Sequence, residues 1–186
     1  MKVHERGRGL CLALAFTAVA LPACSDPLLD EKVAALGPEV DGIREGPAHR
    51  AGQPCLVCHG NGVSPDFSVA GTLYQKPYEL GVPVGIEGNI VELIDANGER
   101  MRAKTNCVGN FYISRDRWDP TFPLRVVVDP DHPGPSQMVS KIGRDGACAS
   151  CHVDPPGQSS PGHVYQTDDD TVPDATSAGT SCRGDD

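Results

Sequence analysis

From Phe67 to Asp129 the chain carries its apolar residues in short runs of Val, Ile, Leu, Phe and Tyr, divided by Gly, Pro and Asn. Short runs rich in β-branched and aromatic residues predict strands rather than helices, here FSVAGTLY, NIVELID, RMRAKT, NFYIS and LRVVVD. Within NIVELIDANGERMRAKT, Ile90, Glu92 and Ile94 fall on one face and Val91, Leu93 and Asp95 on the other. Ala96-Asn97-Gly98 supplies the positive-φ turn that a tight hairpin needs. Outside this stretch the pattern fades. Leu28 to Leu36 predicts a short helix stopped by Gly37 and Pro38, SQMVSKIG predicts a helical turn, and the rest of residues 24–48 reads as a tether. The expected architecture is mainly β: a small antiparallel β-sandwich over residues 67–130, flanked by loop-rich segments 49–66 and 131–166 with short helices.

A chain of 186 residues has room for one compact domain with extensions. Aromatics make up only 5% of it, against 21 Gly and 17 Pro, so its core should draw on apolar surface other than side chains, such as a buried macrocycle. Lys2, Arg6 and Arg8 precede the apolar run GLCLALAFTAVAL, which is too short for a membrane span and has the layout of an export signal. LPACS, residues 21–25, resembles the lipobox of bacterial lipoproteins. That resemblance implies removal of residues 1–23, lipid on Cys24, an anchor in the cell envelope and, from Ser25, passage to the outer membrane. The alternative is an ordinary signal cut near Ala23. Loss of Lys2, Arg6, Arg8 and Glu5 from 16 basic and 25 acidic residues leaves 13 and 24, a formal charge of −11. Such a chain repels nucleic acid and favours basic partners. The tail 167–186 is acidic, small and polar, and is expected to be disordered.

Two copies of one motif carry the chemistry: Cys55, Cys58 and His59 in AGQPCLVCHG, and Cys148, Cys151 and His152 in GACASCHVDP. In C-x-x-C-H the two thiols can bond the two vinyl groups on one porphyrin edge, and the adjacent His lies beneath the iron. Two covalent c-type haems are therefore expected, with His59 and His152 as proximal ligands. A single four-thiolate zinc site explains less, because 89 residues separate Cys58 from Cys148 and zinc gives the trailing histidines no task. A redox dithiol would want one C-x-x-C at a helix start after a central strand, and neither copy follows such a strand. His49, six residues before Cys55, and His163, eleven after His152, are the candidate distal ligands. Met138 competes for the second iron. His132, between prolines, is a weaker reserve, and Met101 is a core residue of its strand. Cys107 and Cys182 are left over, either as a disulfide or as two free thiols.

The stretch VAGTLY…GNIVELIDANGERMRAKTNCVGNFYIS is similar to the carboxypeptidase-regulatory-like, transthyretin-type β-sandwich, with its Asx-Gly hairpin and its T-N-x-x-G-x-F lead into the next strand. This resemblance implies a Greek-key-like scaffold without catalysis. PAHRAGQPCLVCHG and CASCHVDPPGQSSPGHVYQ resemble segments of c-type multihaem lipoproteins in which a sandwich separates the two haem motifs. Together these imply a membrane-anchored dihaem cytochrome c that passes electrons between redox proteins. A small haem peroxidase or reductase, and a non-redox binding module with structural haems, are the competing expectations. The chain has no Ser-His-Asp order, phosphate loop or paired-carboxylate motif.

Overall fold

The computed structural model describes residues 26–39, 45–60, 62–75 and 84–166. The expected signal segment, the lipid-bearing Cys24, most of the tether, and the tail with Cys182 lie outside them. Among the described residues seven strands form two sheets, joined by few and short helices. One sheet has the order β4-β1-β7, with β1 at Phe67–Tyr74, β4 at Asn110–Ser114 and β7 at Val164–Tyr165. The other has the order β3-β2-β5-β6, from β2 at Ile90–Ile94, β3 at Arg100–Lys104, β5 at Arg125–Val128 and β6 at Ser136–Gln137. The fold is thus the mainly β, small sandwich that the run lengths predict. All pairings between named strands are antiparallel except β1 with β7, where Leu73 and Tyr74 face Val164 and Tyr165 in parallel.

The β2–β3 hairpin forms where the alternation places it, with Ile94 opposite Arg100. Its turn holds Gly98 at φ +84° and is closed by Asp95, whose carboxylate accepts from the N–H groups of Asn97, Glu99 and Thr121. Val91 and Leu93 enter the core, with Val69, Phe111, Ile113, Trp118, Leu124 and Val126. Glu92, on the opposite face, is also buried because Arg100 and Arg102 close over it at 2.7 and 2.9 Å.

Two local expectations change. SQMVSKIG forms no helical turn, because Met138 and Ile142 give their N–H groups to the carbonyls of Val126 and Leu124. The segment therefore runs beside β5 as β6 and a bridge. The end of the tether is docked rather than free: the Pro47 carbonyl accepts from the side-chain amides of Asn106 and Asn110. The predicted helix is present as α1, Pro27–Ala35, capped by Asp26.

From Ser68 to Tyr74 every residue of β1 is buried, on both faces. Val69 joins the inter-sheet core, while Ala70, Thr72 and Tyr74 are covered by the segments that carry the two cysteine motifs. This strand is the common wall of both candidate sites.

Candidate functional site

Both C-x-x-C-H copies fold into the same single turn. In the first, which forms α2 at Leu56–His59, the Cys55 carbonyl accepts from Cys58 N at 3.1 Å and His59 N at 2.9 Å. In the second, a 3₁₀ turn over Cys148–Ser150, the Cys148 carbonyl accepts from Cys151 N at 3.1 Å and His152 N at 3.0 Å. The turn keeps both thiols of each copy near one another with the imidazole beyond them. All four of these cysteines are free thiols.

The two copies reach β1 from different directions. Residues 45–52 are pinned by a buried polar network: Asn110 Nδ2 donates to the carbonyls of Pro47 and His49, and the Thr72 hydroxyl donates to Asn110 Oδ1 at 2.7 Å while accepting from Gly52 N at 2.8 Å. Gly52 sits at φ +79°, and a Cβ there would meet the Tyr74 hydroxyl at 2.2 Å, so only glycine fits. The second copy lies along the edge of β1, where Ala70 N donates to the Gly146 carbonyl at 3.0 Å. A Cβ on Gly146 would meet the Ser68 carbonyl oxygen at 2.0 Å.

The histidines share one pattern. His59 Nδ1 lies 3.0 Å from the Pro65 carbonyl and His152 Nδ1 lies 2.9 Å from the Gly162 carbonyl. His49 Nδ1 faces the Gly46 carbonyl closely, with the Gly46 N–H more distant at 3.4 Å. His163 Nδ1 lies 3.0 Å from Asp154 Oδ2. A carbonyl acceptor at Nδ1 of His49, His59 and His152 requires the proton there and leaves Nε2 as a lone pair, and the carboxylate close to Nδ1 of His163 favours the same tautomer by its charge, without an aligned hydrogen bond. His132 is the reverse: its Nδ1 accepts from Gly134 N at 3.1 Å, so a neutral ring carries its proton on Nε2.

The rings of His49 and His59 are 5.7 Å apart at a mutual angle of 68°. Two imidazoles bonded to one metal at ~2 Å each would have their centres ~6 Å apart. His152 and His163 line one cavity of about 630 Å³ together with Cys148, Cys151 and Met138, within the usual range for a cofactor pocket. The cavity opens between the sheets and reaches core residues such as Leu73 and Val126. Met138 and Met101 pack against the core cluster.

Burial pushes the Cys148 thiol up to about 12, with Cys55 the next contributor through charge repulsion. Burial likewise raises Cys55. Thiols of this kind are protonated, the opposite of the depression that activates a redox dithiol. The influence of Cys55 on Cys148 also puts the two motifs, 89 residues apart in sequence, within electrostatic reach of one another. Among the described residues no group of three or more His, Cys, Asp or Glu side chains is placed to hold a metal ion. A haem iron asks for only two protein ligands.

Cys107 is disulfide-bonded, which agrees with the disulfide alternative rather than the free thiol; the candidate partner Cys182 lies outside the described residues. Sequence reasoning missed Thr72, Tyr74, Asp154 and Phe67. Phe67 packs on His59 at 5.0 Å and on the half-exposed Tyr112 at 4.7 Å. Nothing in the run FSVAGTLY marks Thr72 or Tyr74 as anything but strand residues, and Asp154 is distinguished only by standing two positions after His152. No protein-family model matches the chain, and no curated protein or solved structure matches it.

Proposed function

We propose that this chain is a dihaem c-type cytochrome, anchored by lipid on Cys24 in the cell envelope, at the outer membrane, and passing electrons between protein partners. The observation that carries the proposal is the shared geometry of the two motifs. Each has free thiols on one turn, and each trailing His is held through Nδ1 so that Nε2 is left to bind iron. Cys55 and Cys58 would hold one haem with His59 and His49; Cys148 and Cys151 would hold the other with His152 and His163. Haem iron supplies one-electron Fe(III)/Fe(II) chemistry when bound.

The protein's own contribution is position and environment. Strand β1 backs both motifs, Thr72 and Asn110 fix the backbone that carries His49, and the inter-sheet cavity offers an apolar wall to the second macrocycle. The low aromatic content is consistent with a core completed by such a group. With His59 and His49 at one haem and His152 and His163 at the other, no place would be left open for peroxide, which favours electron transfer over the peroxidase or reductase alternative. The formal charge of −11 left after removal of residues 1–23, from 13 basic and 24 acidic residues, favours basic redox partners and disfavours nucleic acid. The proposed membrane attachment is the lipid on Cys24, on the strength of the LPACS stretch; among the described residues no helix is long and apolar enough to cross a membrane. The resemblances to the transthyretin-type sandwich and to multihaem lipoproteins agree with this reading.

The test is expression in a host that matures c-type cytochromes, followed by a reduced pyridine-haem spectrum and intact mass. Two covalent haems are expected, and Cys55→Ala with Cys58→Ala leaves one. Zinc and no haem in that host overturns the proposal. A redox titration with two reversible one-electron transitions distinguishes electron transfer from structural haem.

A further inference from the structure

The loop between His152 and His163 is closed on itself. The Ser160 hydroxyl accepts from Val153 N at 2.8 Å and donates to the Val153 carbonyl at 2.6 Å, and the Gly162 carbonyl faces His152 Nδ1. Asp154 completes the closure from the other side. Its Oδ1 accepts from His163 N at 3.0 Å, and its Oδ2 lies 3.0 Å from His163 Nδ1 and accepts from the Tyr165 hydroxyl at 3.3 Å. Each histidine is thus held by an oxygen from a residue next to, or two removed from, the other. His163 is largely buried, and its Nδ1 has no well-aligned hydrogen-bond partner among the described residues. Asp154 Oδ2, 3.0 Å away, therefore acts on Nδ1 through its charge rather than through an aligned hydrogen bond. The ring plane is set separately by Tyr74, stacked on it at 4.5 Å and 25°.

We propose that Asp154 is the positioning residue of the second haem site, fixing the backbone of His163 through one carboxylate oxygen and the ring tautomer through the other. The proposal rests on His163 being an iron ligand. A carboxylate beside Nδ1 keeps the proton there, leaves Nε2 free to bind, and makes the imidazole a stronger donor, which favours Fe(III). Tyr74 confines the tilt of the ring plane without choosing which nitrogen carries the proton, so among the described residues the tautomer is biased by Asp154.

Two substitutions separate this role from a merely structural one. Asp154→Asn keeps an oxygen for His163 N but can set an amide N–H against Nδ1, which drives the proton to Nε2 and removes the iron-binding lone pair. Asp154→Ala loses both bonds and lets water solvate Nδ1. If Asp154 only braces the loop, Ala is the worse variant; if it fixes the tautomer, Asn is. The experiment compares both holoproteins with His163→Ala by intact mass, oxidised low-spin signal and redox titration. Two haems by mass are expected throughout. His163→Ala identifies which transition belongs to its iron. That same transition should move to higher potential, with a high-spin fraction, in Asp154→Asn and less in Asp154→Ala, while the other transition stays in place. Equal or reversed effects, or no change in either, overturn the role of Asp154. Loss of ligation in neither haem on His163→Ala overturns the ligand assignment instead.

Discussion

Replacing Thr72 with Val tests whether the first cysteine segment is held on β1 by hydrogen bonds or merely rests there. The hydroxyl joins Gly52 N at 2.8 Å to Asn110 Oδ1 at 2.7 Å, and Thr72 and Asn110 are 8% and 4% exposed. Valine keeps the β-branched shape and removes both bonds. Two bonds at ~1 kcal/mol net each, plus ~1–2 kcal/mol for leaving Asn110 Oδ1 buried without a donor, give a loss of ~3–4 kcal/mol. With a urea dependence of ~2 kcal/mol per M, the unfolding midpoint should fall by about 1.5–2 M at unchanged slope. Thr72→Ser keeps the hydroxyl and loses one methyl group, at ~0.8 kcal/mol, so its midpoint should fall by less than half as much. Because Asn110 also holds the carbonyl of His49, the proposed distal ligand, the Val variant should show a reduced low-spin signal for one of the two proposed haems. A Val midpoint equal to the Ser midpoint would refute the reasoning, for then the hydroxyl carries no weight and the segment is held by shape alone.

Burial raises the Asp95 carboxyl, but the N–H groups of Thr121, Glu99, Asn97 and Gly98 outweigh it and hold the group below its ordinary 3.8. A depressed carboxyl stabilises the fold above that ordinary value and loses the contribution as pH falls through the folded one. Asp95→Asn should therefore be less stable at neutral pH and converge with the parent in acid, as followed by thermal melts. Burial, then Tyr165 and Asp154, push the Tyr74 phenol up to about 12. Its contribution is complete below the usual tyrosine value near ~10 and lost as pH rises toward 12, so phenolate absorbance should show one of the four tyrosines ionising last, and Tyr74→Phe should abolish that late step. Cys24→Ser should move the protein from the membrane to the soluble fraction; persistence in the membrane contradicts lipid attachment there.

What could be read directly from the chain is what depends on neighbours in sequence. The five main strands follow from short β-branched runs and the β2–β3 turn from Asn97-Gly98, because pleat periodicity and a positive φ are local requirements. Each C-x-x-C-H likewise closes its turn with hydrogen bonds spanning three and four residues. Tertiary structure decided wherever a backbone or side chain had a distant partner to satisfy. SQMVSKIG has a helical look, yet the Val126 and Leu124 carbonyls bind its N–H groups and draw it beside β5. Glu92 shares a face with Ile90 and Ile94 in the alternation, and only the fold shows it buried, because Arg100 and Arg102 cover it. The second face of β1, with Ser68 and Thr72, reads as half polar, yet it is buried because two segments far apart in the chain need its edge and its hydroxyl. Spacing could nominate His49 and His163 as candidate ligands, but only the folded chain places the oxygens of Gly46 and Asp154 beside their Nδ1 atoms, because a tautomer is biased by whatever the fold puts there.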